Sequence, residues 1–413
     1  MTRPRDPHSS TPKRVPAVRA LDPQDLRIAL FSGNYNYTAD GVNRVLNRLV
    51  RYLEARGVGV LVVSPTVEKP AFDPAGTLLS APSLPVPGRS EYRISLGLPG
   101  AVRDRLAAFC PHLFHLSAPD RLCLRAQKQA QKWNLPVLAS FHTRFDTYLD
   151  HYGLGFLRGA WQRYAKGFYG ACDRVLAPSQ SMAETLEAEG IARQVGLWSR
   201  GVDCGLFDPA RRSLEWRRAH GIGDDEIVVT FAGRLVREKG LGAFADTLDQ
   251  LREMGLPHRA MVIGDGPERE TIRRRLPDAV HCGFLTGEAL GQAYAASDIF
   301  FNPSRTETFG NVTLEAMASG LPTLCADATG SRNLVDHGVT GFLVKEDGWA
   351  YVERLAQMLR DPALRYRMGA AARQKALGYD WDSILGGLLK VYCELAAPRD
   401  AATFAIPLTP EAA

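Results

Sequence analysis

No stretch of the 413-residue chain approaches the roughly 20 consecutive apolar residues of a membrane-spanning helix. The opening "MTRPRDPHSSTPKRVPAVRA" lacks the apolar core of a secretory signal. Dense in Pro, Arg and Ser, it predicts a disordered tail over residues 1–24, and a loose tail is expected again over 399–413. No CxxC pair occurs, and the seven cysteines (110, 123, 172, 204, 282, 325 and 393) are scattered and odd in number. That pattern argues against a zinc ribbon or a redox pair. It predicts a reduced, cytoplasmic chain whose thiols act as small buried apolar groups. A strong charge bias is missing too. Fifty basic against 45 acidic residues give +5, too mild to argue for nucleic acid, though compatible with resting on an anionic membrane face.

What the chain does contain is an average globular composition, 45% hydrophobic and 23% charged, at a length suited to two domains. Short apolar runs alternate with helical patterns. "LRIALF" and "VGVLVV" lack polar alternation, as parallel strands covered on both faces do. Between them Val42, Val45, Leu46, Leu49 and Leu53 recur at three- and four-residue steps, the mark of an amphipathic helix. "HLFHL", "PVLASF" and "RVLAPS" extend the series. After the charged stretch "ARRSLEWRRAHGIGDDE" the alternation restarts with "IVVTFAG", "RAMVIG", "AVHCG", "DIFFN" and "PTLCA". The fold class is therefore α/β, with two doubly wound units. Boundaries are expected at 25–205 and 206–378, with a helix over 379–398 crossing back to the first unit and a ligand cleft between the two.

Three loops of the second unit carry chemistry. "FAGRLVREKG" sets Arg234 and Lys239 just past a strand, where open α/β sheets bind ligands. Two cations on one loop suit a diphosphate, and a solvated basic loop reads equally well. "IGDGPE" lacks GxGxxG spacing, so Gly264 and Gly266 read as a tight turn under a ligand or as plain turn residues. "SRTETFGNVTLEAMASGLP" turns from loop to helix, leaving N–H groups near Gly310 to Thr313 free for an anion. Glu307 and Glu315 flank that point eight positions apart, placed to accept from sugar or ribose hydroxyls; a loop acid and a solvated helix acid are the plain alternative. In the first unit, His142 at a strand end reads more readily as a satisfied structural histidine, and Asp40-Gly41 as an ordinary turn. "DWD" (380–382) opens a helix, where Asp caps are common, so it is assigned no metal.

The ordered set "SFHTRFDTYLDHYG", "PSQSMAETLEAEG", "WSRGVDCGLFDP", "GRLVREKG", "GDGPE", "ETFGNVTLE" and "GVTGFLV" resembles the retaining, GT-B-fold glycosyltransferases that use nucleotide sugars. The resemblance spans roughly residues 26–395. It implies that Arg234 and Lys239 hold a donor diphosphate, that Glu307 meets the transferred sugar and that Glu315 meets the ribose. Phe309, Gly310 and Asn311 would offer backbone donors. His142 would lie near sugar and acceptor, and Gly41 would match a mobile glycine loop, here with one glycine where many members have two. No metal or cofactor is implied beyond a UDP- or GDP-linked donor substrate. The nearest resemblance is to members that glycosylate membrane lipids, the sulfoquinovosyl-diacylglycerol synthases and actinobacterial mannosyltransferases. In "GFLRGAWQRYAKGFYGACDRVL" Phe156, Leu157, Trp161, Tyr164, Phe168 and Tyr169 interleave with Arg158, Arg163 and Lys166, as in a helix that touches a bilayer; such a stripe is more often core packing with a solvated back. A soluble or polysaccharide acceptor is the alternative, and a non-catalytic nucleotide-sugar-binding module a more distant one.

Overall fold

Uninterrupted apolar runs become parallel strands sandwiched between helices, because only a strand buried on both faces has no use for polar alternation. A computed structural model describes residues 21–38, 40–86, 89–144, 155–345 and 348–397. The tail expected over 399–413 and most of that over 1–24 lie outside the described residues. Within the described part, Pro23–Asp25 form a 3₁₀ turn capped by Asp22.

The first sheet comprises β1 (Arg27–Phe31), β2 (Gly59–Ser64), β3 (Thr77–Ser80), β6 (Leu113–Leu116), β7 (Val137–Ser140), β8 (Arg174–Ala177) and β9 (Val195–Leu197). Their order is β3-β2-β1-β6-β7-β8-β9, all neighbours parallel. β4 (Ser83–Val86) and β5 (Arg89–Ser95) form a separate antiparallel hairpin. The second sheet comprises β10 (Val228–Ala232), β11 (Arg259–Ile263), β12 (Val280–Gly283), β13 (Ile299–Asn302), β14 (Thr323–Ala326) and β15 (Gly341–Val344). Its order is β12-β11-β10-β13-β14-β15. In each sheet the strand order reverses beside its first strand, β1 or β10. That switch point opens a crevice at the carboxyl ends, where such sheets take ligands.

α1 (Gly41–Glu54) buries Val45, Leu46, Leu49 and Leu53 against β1 and β2. Asp40 caps it by accepting from Asn43 N at 2.8 Å. The last helix, α14 (Trp381–Ala396), packs Leu385, Leu388 and Tyr392 into this same first-unit core, although the chain has by then completed the second sheet. Its Asp380 is a cap, accepting from Ser383 N at 2.8 Å. The two crossings between units touch each other: Val202 N donates to Tyr379 O at 3.0 Å, and a Cβ on Gly201 would meet the Trp381 ring at 2.6 Å.

Candidate active site

Loops at the carboxyl ends of both sheets face one another across a cleft of about 890 Å³. Gly41 and His142 come from the first unit; Arg234, Lys239, Glu307, Phe309, Gly310 and Asn311 come from the second. Glu315, Gly264 and Gly266 stand behind this wall. The remainder of the "FHTRFDTYLDHYG" loop past Arg144 lies outside the described residues.

The second unit's wall is built by two tight turns. Gly310 takes φ +95°, a left-handed conformation that lets α10 (Asn311–Ala318) start abruptly after the loop. The amides of Thr313 and Leu314 already donate to Gly310 O at 3.0 and 3.1 Å. Among the described residues the amides of Gly310, Asn311 and Val312 donate to no backbone carbonyl, one residue fewer at the inner end than the sequence suggests; Asn311 and Val312 belong to the helix's first turn. Both line the cleft. Directly opposite, a Cβ on Gly41 would stand 3.4 Å from Asn311 Nδ2, so the N-termini of α1 and α10 converge. Two helix dipoles then direct their positive ends at one space.

Lys239 ends a 3₁₀ turn (Arg237–Lys239) and ion-pairs with Glu307 at 2.7 Å, both side chains 18% exposed. Arg234 is exposed to the cleft and, among the described residues, forms no ion pair. Gly264 and Gly266 act from beneath. A Cβ on Gly264 would stand 1.9 Å from Gly233 O, and one on Gly266 2.4 Å from Leu235 O. Their bareness lets the "IGDGPE" turn press against the backbone on either side of Arg234.

The two units are clamped at the cleft's edge. Thr308 Oγ1 donates to His142 O at 2.8 Å, and Ser179 Oγ donates to Thr308 O at 3.1 Å. Ser181 Oγ donates to Thr329 O at 2.6 Å. His142 has both ring nitrogens engaged inside the first unit, Nδ1 by Arg200 Nη2 at 2.7 Å and Nε2 by Ser140 Oγ at 2.8 Å. Burial, then the Arg200 guanidinium, hold it well below the usual histidine range, so the ring is neutral.

Arg200 and Asp120 are among the cleft residues that sequence reasoning missed. Arg200 sits inside the quoted "WSRGVD", but nothing in spacing tells that its side chain turns inward. Asp120 is legible as the cap of α3 (Arg121–Lys132), accepting from Cys123 N at 2.8 Å. What cannot be read is that Gly33 must be bare to admit it, since a Cβ there would lie 2.2 Å from Asp120 Oδ2.

Sequence profiles of two families divide the chain: Glycosyltransferase Family 4 over residues 39–206 and Glycosyl transferases group 1 over 213–375. Sulfoquinovosyl transferase SQD2 of Arabidopsis thaliana is 34% identical over 376 residues, covering 87% of this chain and 73% of that protein. The chain is a GT-B glycosyltransferase of the group 1 family. The GDP-mannose-dependent alpha-mannosyltransferase of Mycolicibacterium smegmatis is 33% identical over 375 residues, 89% of this glycosyltransferase and 97% of that one. Anabaena HepE in complex with UDP-glucose superimposes with a TM-score of 0.69 at 19% identity, over 89% of this chain and 99% of that one, and so shares the fold.

In this glycosyltransferase Glu315 lies one turn into α10 and accepts from Tyr294 OH at 3.2 Å. Burial lifts its carboxyl to about 7, with Tyr294 and then Arg44 working against the rise. Raised above its unfolded value, the group gives stability that is present in acid and lost as pH climbs through about 7. If the carboxylate accepts from a nucleotide ribose, only the ionised form binds well. UDP or GDP affinity should then rise about tenfold from pH 6 to 8, following the ionised fraction. The nucleotide's own terminal phosphate titrates nearby. The readout is therefore the calorimetric difference between wild type and Glu315→Gln. Parallel pH curves for the two proteins would remove Glu315 from the nucleotide site.

Proposed function

We propose that this glycosyltransferase moves a sugar from a nucleoside-diphosphate donor to an acceptor hydroxyl, with retention at the anomeric carbon and without a metal or other cofactor. The observation that carries this reading is the convergence of two helix N-termini, at Gly41 and Asn311, on a space also lined by Arg234 and Lys239. Dipoles and side-chain cations together offset a diphosphate's charge, the task a metal ion performs elsewhere. UDP-glucose in HepE and GDP-mannose in the mycobacterial relative's name support a UDP- or GDP-linked donor.

As the glycosidic bond breaks, charge gathers on the departing phosphate oxygen. Arg234, Lys239 and the amides of Asn311 and Val312 stabilise it, preorganised before the substrate arrives. Glu307 holds the Lys239 ammonium at the boundary between phosphate and sugar, and its second oxygen accepts from sugar hydroxyls. The acceptor oxygen attacks the face from which phosphate leaves; that phosphate takes the acceptor's proton, so no side-chain base is needed.

The acceptor in this reading is a membrane lipid, met at the inner membrane face. Its support is α4 (Arg158–Gly170) and the turn before it. Phe156 is 79% and Leu157 41% exposed, beside the exposed Arg158, Arg163 and Lys166. The far end of the same stripe is core, with Phe168 and Tyr169 each 2% exposed and Tyr164 OH donating to Pro119 O at 2.9 Å. That division is the observation favouring the second reading, the same chemistry on a soluble or polysaccharide acceptor. Among the described residues no helix is long and apolar enough to cross a membrane; the contact in this reading is a peripheral one through Phe156 and Leu157. Liposome flotation separates the readings. The protein should float with anionic vesicles at low salt and be released by Phe156→Asp or high salt. Wild type remaining at the bottom at low salt would leave the soluble acceptor.

A further inference from the structure

Arg200 is 5% exposed yet lines the cleft. Its Nη1 donates to Trp198 O at 2.8 Å and Ser199 O at 3.3 Å, its Nη2 to His142 Nδ1 at 2.7 Å, and its guanidinium lies 4.8 Å from the Trp198 ring centroid. Among the described residues no carboxylate pairs with it. Burial lowers it to about 10, so it is cationic at neutral pH. A buried charge without a counter-ion is costly unless something else meets it.

What lies behind it is continuous. A guanidinium can only donate. His142 Nδ1 must therefore be the bare nitrogen, and its Nε2–H donates to Ser140 Oγ at 2.8 Å. Continued in that sense, the Ser140 hydroxyl donates to His115 Nε2 at 3.0 Å, and His115 Nδ1–H to the Tyr392 oxygen at 2.7 Å. Ser140, His115 and Tyr392 are each 0% exposed, and Tyr392 belongs to α14, 277 residues beyond His115.

We propose that Arg200 binds an anionic group of the substrate, and that Tyr392, His115, Ser140 and His142 form a hydrogen-bonded chain that holds it on the cleft wall. His142 on this view is a positioning residue, acting through Arg200. The anion has two sources, the donor diphosphate or an acidic group on the acceptor. The turnover arm of the test rests on the proposed donor chemistry; the tautomer and nucleotide-binding arms stand without it.

The first measurement is a long-range ¹H–¹⁵N spectrum of histidine-labelled full-length protein. Wild type should show His142 neutral with its proton on Nε2, and Arg200→Gln, whose amide can accept as well as donate, should give a mixture of tautomers. An arginine that only packed against the Trp198 ring would not move that signature. The second measurement is UDP and GDP affinity, with turnover of UDP-glucose and GDP-mannose, in Arg200→Gln. A 10- to 100-fold loss of nucleotide affinity identifies the diphosphate as the partner. The same loss in turnover of these neutral-sugar donors with nucleotide affinity intact identifies an acidic group on the acceptor. Tyr392→Phe should reproduce a smaller part of whichever loss occurs. A His142 proton on Nδ1, or an Arg200→Gln protein that binds nucleotide and turns over like wild type, overturns the proposal. If wild type cleaves neither donor, the donor reading is at fault, and the first two readouts still decide the role of Arg200.

Discussion

Arg234→Ala and Lys239→Ala are each expected to lower turnover at saturating donor by about 10²–10³. Both cations line the cleft at the N-termini of α1 and α10, where leaving-group charge gathers, and a contact made chiefly in the transition state shows in kcat. The two losses should differ in kind. Removing Arg234 takes away a cation with no ion pair among the described residues. Removing Lys239 also strands Glu307, whose partner at 2.7 Å is gone, so an unpaired carboxylate faces the phosphate. Lys239→Ala should therefore be the worse, and Lys239→Ala/Glu307→Gln should recover part of the loss in a double-mutant cycle. Steady-state kinetics check this. Full activity in either single variant at saturating donor would contradict the assignment.

The second large effect concerns stability. Gly264→Ala should destabilise the second unit by about 3 kcal/mol or more. Gly264 has φ +137°, and the added Cβ would meet Gly233 O at 1.9 Å. Neither backbone can easily withdraw: Gly264 N donates to Gly283 O at 2.7 Å, and Gly233 N donates to Ile263 O at 3.0 Å. Any retreat also carries Arg234 with it. The melting temperature should fall by roughly 6–12 °C. Gly221 is the control, since it shares a positive φ (+70°) but has nothing within 4 Å of an added Cβ. Gly221→Ala should cost about 1 kcal/mol, the backbone strain alone. Equal losses in the two variants would show that strain, not the close approach, makes Gly264 necessary.

These two cases mark what can be read from sequence. Arg234 and Lys239 were legible as cleft-lining cations because a loop after an apolar strand emerges at the carboxyl edge of a doubly wound sheet. Gly264 was legible only as a turn, because what forbids a side chain is the carbonyl of a different loop, 31 positions away in the chain. The central strands were plain in their unbroken Val, Ile and Leu runs, as was α1 in its three- and four-residue steps. The β3–β5 region was not, since its half-exposed residues carry no unbroken run. The polar chain behind Arg200 was invisible for the same reason as Gly264. Tyr392 and His115 meet only because α14 returns to the first unit, and a lone tyrosine in an apolar helix reads as core. Glu315 could be identified as an acid near a helix start; its shift to about 7 comes from burial that only the packed structure reveals.

Whether sugar passes from a nucleoside diphosphate with retention is decided by the stereochemistry of the product. Wild type would be incubated with UDP-glucose or GDP-mannose, both α-linked or configured for α transfer, together with lipid and soluble acceptors, and the new linkage read by NMR. An α-linked product is expected, with its formation lost in Lys239→Ala. A β-linked product would contradict it, because attack would then come from the face opposite the phosphate and a side-chain base would have to take the proton.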